Sequence, residues 1–209
     1  MSSAEGGLRE RKKQRTRETI ARVALDLFAE HGFHATTIKQ IADAADVAPR
    51  TVSHYFPSKE ELVFPDHDVV FAELERRLTD RLPGETAADA LRAWIGWLLE
   101  LMEDSDRDEV RRRREVIESD PALRTFERGL QERAERTIAA AAAVDLGLPA
   151  DALLPHMVAA ATIAALDALS GVMKTTPPAD FREQGLALAD QAMTFVGGGV
   201  AALQRRVRS

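Results

Sequence analysis

Basic side chains are concentrated near the start of this chain. Seven cations and only two acids occupy residues 9–22, and the cations are Arg9, Arg11, Lys12, Lys13, Arg15, Arg17 and Arg22. Guanidinium and ammonium groups bind phosphates, so such a run in a chain of net charge -6 indicates a polyanionic partner. A solvated, frayed helix start explains the same charges, and charge alone leaves both interpretations open.

A second basic run covers residues 111–114, and Arg107, Arg111 and Arg114 share one face of a predicted helix. One interpretation is a solvated face whose cations pair with Glu115 and Glu118. The other interpretation is that these cations line the entrance of a pocket for a phosphate-bearing effector such as an acyl-coenzyme A.

Enzymatic chemistry finds little support. The chain has no cysteine, which excludes disulfides, thiolate nucleophiles and thiolate zinc ligands. Phosphate-binding glycine loops, His-Glu-x-x-His and Gly-x-Ser-x-Gly are missing from the sequence. Asp66, His67 and Asp68 are metal-type ligands, but adjacent helical residues point in different directions. We therefore expect no enzyme, no metal site and no cofactor.

Composition favours an all-α chain. Of 209 residues, 45% are hydrophobic and only 5% are aromatic, so a core is possible and a large β-sandwich is not favoured. The first twenty residues lack the apolar stretch of a signal peptide. The apolar run at residues 157–166 stops at Asp167 and is judged too short to span a bilayer. The expected location is the cytoplasm, without a membrane partner.

Helical periodicity predicts about nine helices. The first covers residues 11–31 and ends at Gly32. Thr37 and Gln40 form a capping box for the second, and Pro49 opens a third that ends near Tyr55. This spacing matches a helix-turn-helix, although it also fits many small helical bundles, and the basic charge just ahead of it favours the helix-turn-helix. The later helices are expected from residue 58 to 82, with a kink or restart near Asp66 caused by Pro65, then at 86–103, 111–118, 120–146, 150–174 and 180–206, with residues 175–178 as the last connection.

The segment from Thr37 to Leu62 resembles the DNA-binding domain of TetR-family regulators. The resemblance lies in Ile41-Ala42, Val47, Tyr55-Phe56 and Lys59-Glu-Glu-Leu62, with Ala29-Glu-His-Gly-Phe33 ahead of them. The chain departs from the family pattern at Asp46, where glycine is usual, and at Ala48, where serine often caps the third helix. Asp tolerates left-handed backbone, and the missing cap costs about 1 kcal/mol. Tyr-Phe-Pro-Ser-Lys-Glu-Glu-Leu-Val-Phe is also similar to mycofactocin-type regulators, some of which respond to acyl-coenzyme A.

The resemblance implies a DNA interface on the second and third helices. Arg50 and Thr51 would enter the major groove, followed by Ser53 and His54. The residues implied in phosphate or base contact on either side are Thr37, Lys39, Tyr55 and Lys59.

The resemblance also implies a flexible tail at residues 1–10, a helix-turn-helix domain at 11–57 and an effector-binding and dimerisation domain at 58–209. Homodimerisation would use the last two helices, and the partners would be a palindromic operator and a small hydrophobic effector. The expected pocket residues are Trp94, Trp97, Met102, Phe126, His156 and Met157, although tryptophan and methionine at helical spacing more often belong to a simple core. Pro65 is the expected hinge for effector-induced release.

These expectations together describe an effector-responsive transcriptional regulator, most simply a repressor. The alternative is a helical adaptor that has lost DNA binding, and the salt dependence of binding would separate the two.

Overall fold

The computed structural model describes residues 2–103, 106–173 and 180–207. These ranges contain nine α-helices, one short 3₁₀ helix and no β-strand. In chain order the elements are α1 Ser2–His31, α2 Ile38–Ala44, α3 Pro49–Tyr55, the 3₁₀ helix Glu60–Leu62, α4 His67–Thr79, α5 Ala87–Glu103, α6 Arg107–Ser119, α7 Pro121–Leu146, α8 Leu153–Met173 and α9 Phe181–Val207. The predicted all-α class is confirmed.

Helix α1 begins at Ser2, nine residues before its predicted start. The prediction relied on an apolar repeat that begins only at Ile20. The residues before Ile20 lack a sustained apolar repeat, so periodicity gave no sign of this part of the helix. The flexibility expected for residues 1–10 stays a prediction.

The expected helix from residue 58 is wrong in its first turns, but the restart expected near Asp66 is confirmed. Ser58 does cap the segment, because its hydroxyl accepts from Glu61 N–H at 3.3 Å, but the segment forms only the 3₁₀ turn. Pro65 lacks an N–H donor and ends the hydrogen-bond ladder, so α4 begins at His67. Helix α4 then ends at Thr79, three residues before the predicted end.

Helix α6 begins at Arg107 rather than residue 111, because the Asp106 side chain accepts from Asp108 N–H and caps it. Thr86 caps α5 as expected, through a reciprocal pair of bonds with Asp89. The predicted connection at residues 175–178 lies outside the described residues.

The chain divides into two compact units. The N-terminal unit is Met1–Asp68 with Asp106–Glu127, and the C-terminal unit is Val69–Ser105 with Arg128–Ser209. The core of the N-terminal unit joins α1, α2, α3, the 3₁₀ helix, α6 and the start of α7. Val116, Ile117 and Leu123 are buried in that core, although the sequence assigned residues 58–209 to a second domain. The predicted domain boundaries stay a prediction.

The C-terminal unit packs α5, α7, α8 and α9 with most of α4. Leu91, Ile95, Ile138 and Met193 are at most 2% exposed in its core. A largely buried ion pair between Arg81 and Asp145 joins the connection after α4 to α7, and Asp145 also accepts from Ala87 N–H at 2.7 Å. The short connection before α5 is thereby held against α7.

Helix α8 is more apolar than the sequence reading allowed. From Leu153 to Val172 it is long and apolar enough, by length and composition, to cross a membrane. The estimate of a short run was wrong because the helix continues past Asp167. One such helix is weak evidence for a membrane span, and only 17% of the apolar window is buried within the chain.

Candidate nucleic-acid interface

The turn between α2 and α3 is built from short-range signals. Thr37 and Gln40 form the predicted capping box, with Gln40 N–H donating to the threonine hydroxyl at 3.2 Å and Gln40 Oε1 accepting from Thr37 N–H at 2.8 Å. Asp46 adopts the left-handed conformation at φ 53°, as the missing glycine requires. Ala48 provides no side-chain cap for α3, and Pro49 stands in its first turn as predicted.

Buried side chains fix the orientation of α3. Val52 and Phe56 lie one turn apart and are at most 2% exposed, in the same core as Ile41 of α2. The opposite face is open. Because rotation of the helix would take this buried pair out of the core, the packing favours one orientation of the open face.

The residues predicted for base contact lie on this face. Arg50, Ser53 and His54 are exposed, while Thr51 and Tyr55 are half-buried. The His54 and Tyr55 rings meet edge to face, with centroids 5.5 Å apart. The structure thus brings these five residues together on one short helix, and their individual DNA contacts stay predictions.

Two further residues of the predicted DNA interface belong to the α2 segment: Lys39 lies in α2, and Thr37 caps its N-terminus. The Lys39 ammonium lies 2.7 Å from the Asp43 carboxylate, and both side chains are largely exposed. An exposed pair of this type is worth about 0.2–1 kcal/mol, so a phosphate can displace Asp43 at small cost. The Thr37 hydroxyl takes part in the capping box, and its DNA contact stays a prediction.

The Lys59 ammonium makes contacts within the N-terminal unit that the sequence did not predict. Its ammonium donates to the carbonyls of Phe33 and Thr36 at 2.8 and 3.2 Å, and it lies 4.2 Å from the centre of the Phe33 ring. These contacts hold the loop between α1 and α2. A phosphate contact by Lys59 stays a prediction, and only its third N–H would serve it.

Arg17 is a positioning residue that the sequence reading counted only as one of the cations. Its Nη1 donates to the carbonyl of Tyr55 at 3.0 Å, and its Nη2 donates to the carbonyl of Pro65. The guanidinium carbon lies 4.4 Å from the centre of the Phe56 ring. One side chain of α1 therefore ties the end of α3 to the segment before α4. Helical spacing could have shown this role. Residue 17 precedes the buried Ile20 by three positions and the buried Ala24 by seven, which places Arg17 on the buried face of α1.

The six expected pocket residues differ in burial and in the unit to which they belong. Trp94 is a core residue whose indole N–H donates to the Val70 carbonyl at 3.3 Å, and Trp97 packs against the same core. Met102, His156 and Met157 are exposed. Phe126 lies in the N-terminal unit, 5.4 Å from the Phe64 ring and 6.1 Å from the His67 ring. The pocket they would form stays a prediction.

The C-terminal unit has a small cavity of about 80 Å³ elsewhere, between α5, α7, α8 and α9. Its wall is mostly apolar, with Leu91, Ile138, Val158 and Val196 among the lining residues and Asp145 as an acidic group. Sites for drug-sized ligands measure roughly 300–1,000 Å³, so this cavity would have to widen to admit one.

The basic run on α6 is paired with acids. Arg111 contacts Asp108 and Glu115, and Arg114 contacts Glu118 at 2.6 Å and Glu127 at 2.8 Å. Hydrogen bonds to these carboxylates raise the pKa of both guanidinium groups. Arg112 and Arg113 likewise pair, with Asp26 and Glu109. The arrangement favours the solvated, paired face.

Comparison with known proteins agrees with this architecture. The pattern of bacterial regulatory proteins of the TetR family matches residues 20–64, and that of the MftR C-terminal domain matches residues 85–200. The transcriptional regulator TcmR of Streptomyces glaucescens is 40% identical over 94 residues, which are 43% of this chain and 42% of TcmR. MftR of Mycobacterium tuberculosis, named for the regulation of mycofactocin biosynthesis, is 32% identical over 116 residues, or 56% of this chain and 58% of MftR. The chain thus spans about half the length of these relatives.

Solved structures share the fold over most of the chain. The SmeT–triclosan complex is 25% identical with a TM-score of 0.60 and covers 86% of this chain and 90% of SmeT. A regulator from Pseudomonas aeruginosa PAO1, at 20% identity and TM-score 0.57, covers 91% of this chain and 92% of its own and supports the fold alone. The helix-turn-helix with an open α3 face and the two matching patterns lead to one conclusion: the chain belongs to the TetR family of bacterial transcriptional regulators, with a C-terminal domain of the MftR type.

Proposed function

We propose that this regulator is a cytoplasmic repressor that binds a palindromic operator as a homodimer and is released by a small hydrophobic molecule. The proposal of DNA binding is supported chiefly by the orientation of α3. Val52 and the adjoining Phe56 are buried. Arg50, Ser53 and His54 are thereby left exposed to solvent. Arg50 suits guanine, whose O6 and N7 accept two parallel N–H bonds, and the Thr51 methyl group suits thymine.

Homodimerisation through α8 and α9 is supported by their uncovered apolar surface. Leu153, Met157, Leu186 and Phe195 are 72%, 55%, 42% and 75% exposed. A second copy would bury these side chains and leave two α3 helices about one DNA turn apart, roughly 34–36 Å, or somewhat more.

The effector is proposed as a small hydrophobic molecule held in the C-terminal unit. The SmeT relative was solved with triclosan, a ligand of this kind, and the apolar cavity beside Asp145 is a place that could expand. An acyl-coenzyme A is a specific candidate, although the carboxylates paired with Arg111 and Arg114 compete with its phosphates.

Release is proposed to pass through the segment around Pro65, which separates the 3₁₀ helix from α4. Pro65→Ala should allow the two helices to join and should weaken effector-induced release by a factor of several. Release measured by fluorescence anisotropy that stays at the wild-type level would refute the hinge.

Selection of bound duplexes from a random DNA library by the purified protein tests the main proposal. Enrichment of one palindrome is the expected result, and its half-site spacing gives the separation of the α3 helices. No enrichment, both before and after denaturation and refolding to remove a copurified effector, would favour the alternative of an adaptor without DNA binding.

A further inference from the structure

Helix α1 is far longer than its core requires. Among the side chains of α1 that the structure describes, the first buried one is Ile20, yet the helix begins at Ser2, so about 27 Å of helix precedes Ile20 at 1.5 Å per residue. Residues 11–15 are all exposed. We call residues 9–15 the basic extension, and packing within the N-terminal unit gives no reason for it.

The charge of the basic extension is unfavourable for an isolated helix. Arg11 and Arg15 are like charges one turn apart, and such pairs destabilise a helix. Among the side chains that the structure describes, Arg11, Lys12 and Arg15 have no acidic partner. The arginines of α6, by contrast, are paired with carboxylates. An extended anion would relieve the repulsion along α1.

The extension leaves the folded unit beside the proposed DNA-binding surface. Arg17 bonds to the Tyr55 carbonyl at 3.0 Å, so α1 passes the end of α3 at this residue. Arg15 and Arg11 follow at about 3 and 9 Å further along the helix axis. Tyr55 is the residue proposed to hold a phosphate at that end of α3, which brings the extension to the edge of the same duplex.

We propose that the basic extension binds the phosphate backbone of the duplex DNA that flanks each operator half-site, outside the contacts of α2 and α3. This inference rests on the proposed function and adds to it a second, sequence-independent DNA contact. Long, flexible cations placed along a helix suit backbone phosphates, which contribute affinity and register without reading bases.

The test compares two duplexes that carry the palindrome selected from the library. The short duplex contains the palindrome alone, and the long duplex adds one helical turn, about 10 base pairs, at each end. The triple variant R11Q/K12Q/R15Q removes three charges per chain and keeps side chains that favour helix. R124Q/R128Q/R136Q on the exposed face of α7 removes the same charge elsewhere, and R11K/K12R/R15K preserves the charge.

We expect wild-type protein to bind the long duplex more tightly than the short one. On the long duplex, R11Q/K12Q/R15Q should lower the slope of log K against log salt by up to about 5 per dimer, since each phosphate contact contributes about 0.9. The α7 variant and the charge-preserving variant should keep the wild-type slope. Circular dichroism should show equal helix content in all four proteins.

An unchanged slope in R11Q/K12Q/R15Q, or an equal fall in the α7 variant, would overturn the inference while leaving the proposed function intact. Loss of binding to anionic phosphatidylglycerol vesicles without any change on DNA would overturn it in favour of a membrane surface. Failure of wild-type protein to bind either duplex would overturn the proposed function itself, so the two failures are distinguishable.

Discussion

Removal of the Arg17 guanidinium should loosen the end of the DNA-contacting helix. In Arg17→Ala the Tyr55 and Pro65 carbonyls lose a charged donor, and the Phe56 ring loses its cation. Pro65 is buried, so its carbonyl has little access to water as a replacement partner. Arg17→Lys should recover part of the effect, because one ammonium cannot serve both carbonyls in the geometry of a planar fork.

The magnitude follows from the contacts. A hydrogen bond from a charged donor contributes about 1.5–3 kcal/mol, and a partly exposed cation–π contact contributes about 0.5–1 kcal/mol. Water recovers part of the loss at half-buried Tyr55, so we expect the opening free energy of this region to fall by about 2–4 kcal/mol in Arg17→Ala. At 1.4 kcal/mol per factor of ten, amide exchange should accelerate roughly 30- to 700-fold.

Hydrogen exchange followed by mass spectrometry measures this effect directly. Peptides covering residues 50–56 and 62–68 should show the acceleration in Arg17→Ala. The matched control is Arg15→Ala, an exposed arginine on the same helix, which should change local stability by less than about 0.5 kcal/mol. Equal exchange in the two variants would refute the role given to Arg17, because the hydrogen bonds and the ring contact would then be worth nothing.

Three further changes test other parts of the structure. Arg50→Ala should weaken operator binding by about 1–3 kcal/mol and reduce the base preference at one position of each half-site, as measured by repeating the duplex selection. The control Ser53→Ala should leave the base preference at that position unchanged. Phe195→Glu should convert the dimer into monomer in sedimentation velocity. The control Val69→Glu, which replaces another exposed apolar side chain (55% exposed, on α4), should leave the dimer intact. The pKa of Glu73 is lowered from 4.5 to about 2, chiefly by hydrogen bonding from Arg76 and against the opposing effect of burial. The stabilising contribution of the ionised Glu73 is therefore full above pH 4.5 and is lost as the pH falls towards 2. The stability difference between wild type and Glu73→Gln in urea titrations should therefore shrink over that range, and a constant difference would contradict the ion pairing.

Local signals accounted for most of the helix boundaries in the N-terminal unit. Thr37 with Gln40, Asp46 and Pro49 each act within four residues, and the structure places each in its expected turn. The same approach misplaced the start of α1 and the first turns of the segment after Ser58. A helix without an apolar face has no period to detect, and the strength of a cap against a following proline depends on how much helix can form between them.

The candidate pocket was less predictable from sequence. Tryptophans and methionines at helical spacing can belong to a core or to a ligand wall. Only packing places Trp94 against the carbonyl of Val70 and puts Phe126 beside Phe64 in the other unit. Exposure likewise separated Met157, at 55%, from its buried neighbour Ala159.

The sequence by itself determined the all-α class and the turns around α2 and α3, because caps, turns and periodicity act between residues a few positions apart. The candidate DNA-contacting face of α3 came from the family resemblance of the same segment. Only the tertiary structure decided what two of the basic residues do. Lys59 meets Phe33 across 26 residues, and Arg17 meets Tyr55 and Pro65 across 38 and 48. A cation in a sequence has the same charge whether it faces solvent or a carbonyl, and the choice is made by chain segments that come together only when the core forms.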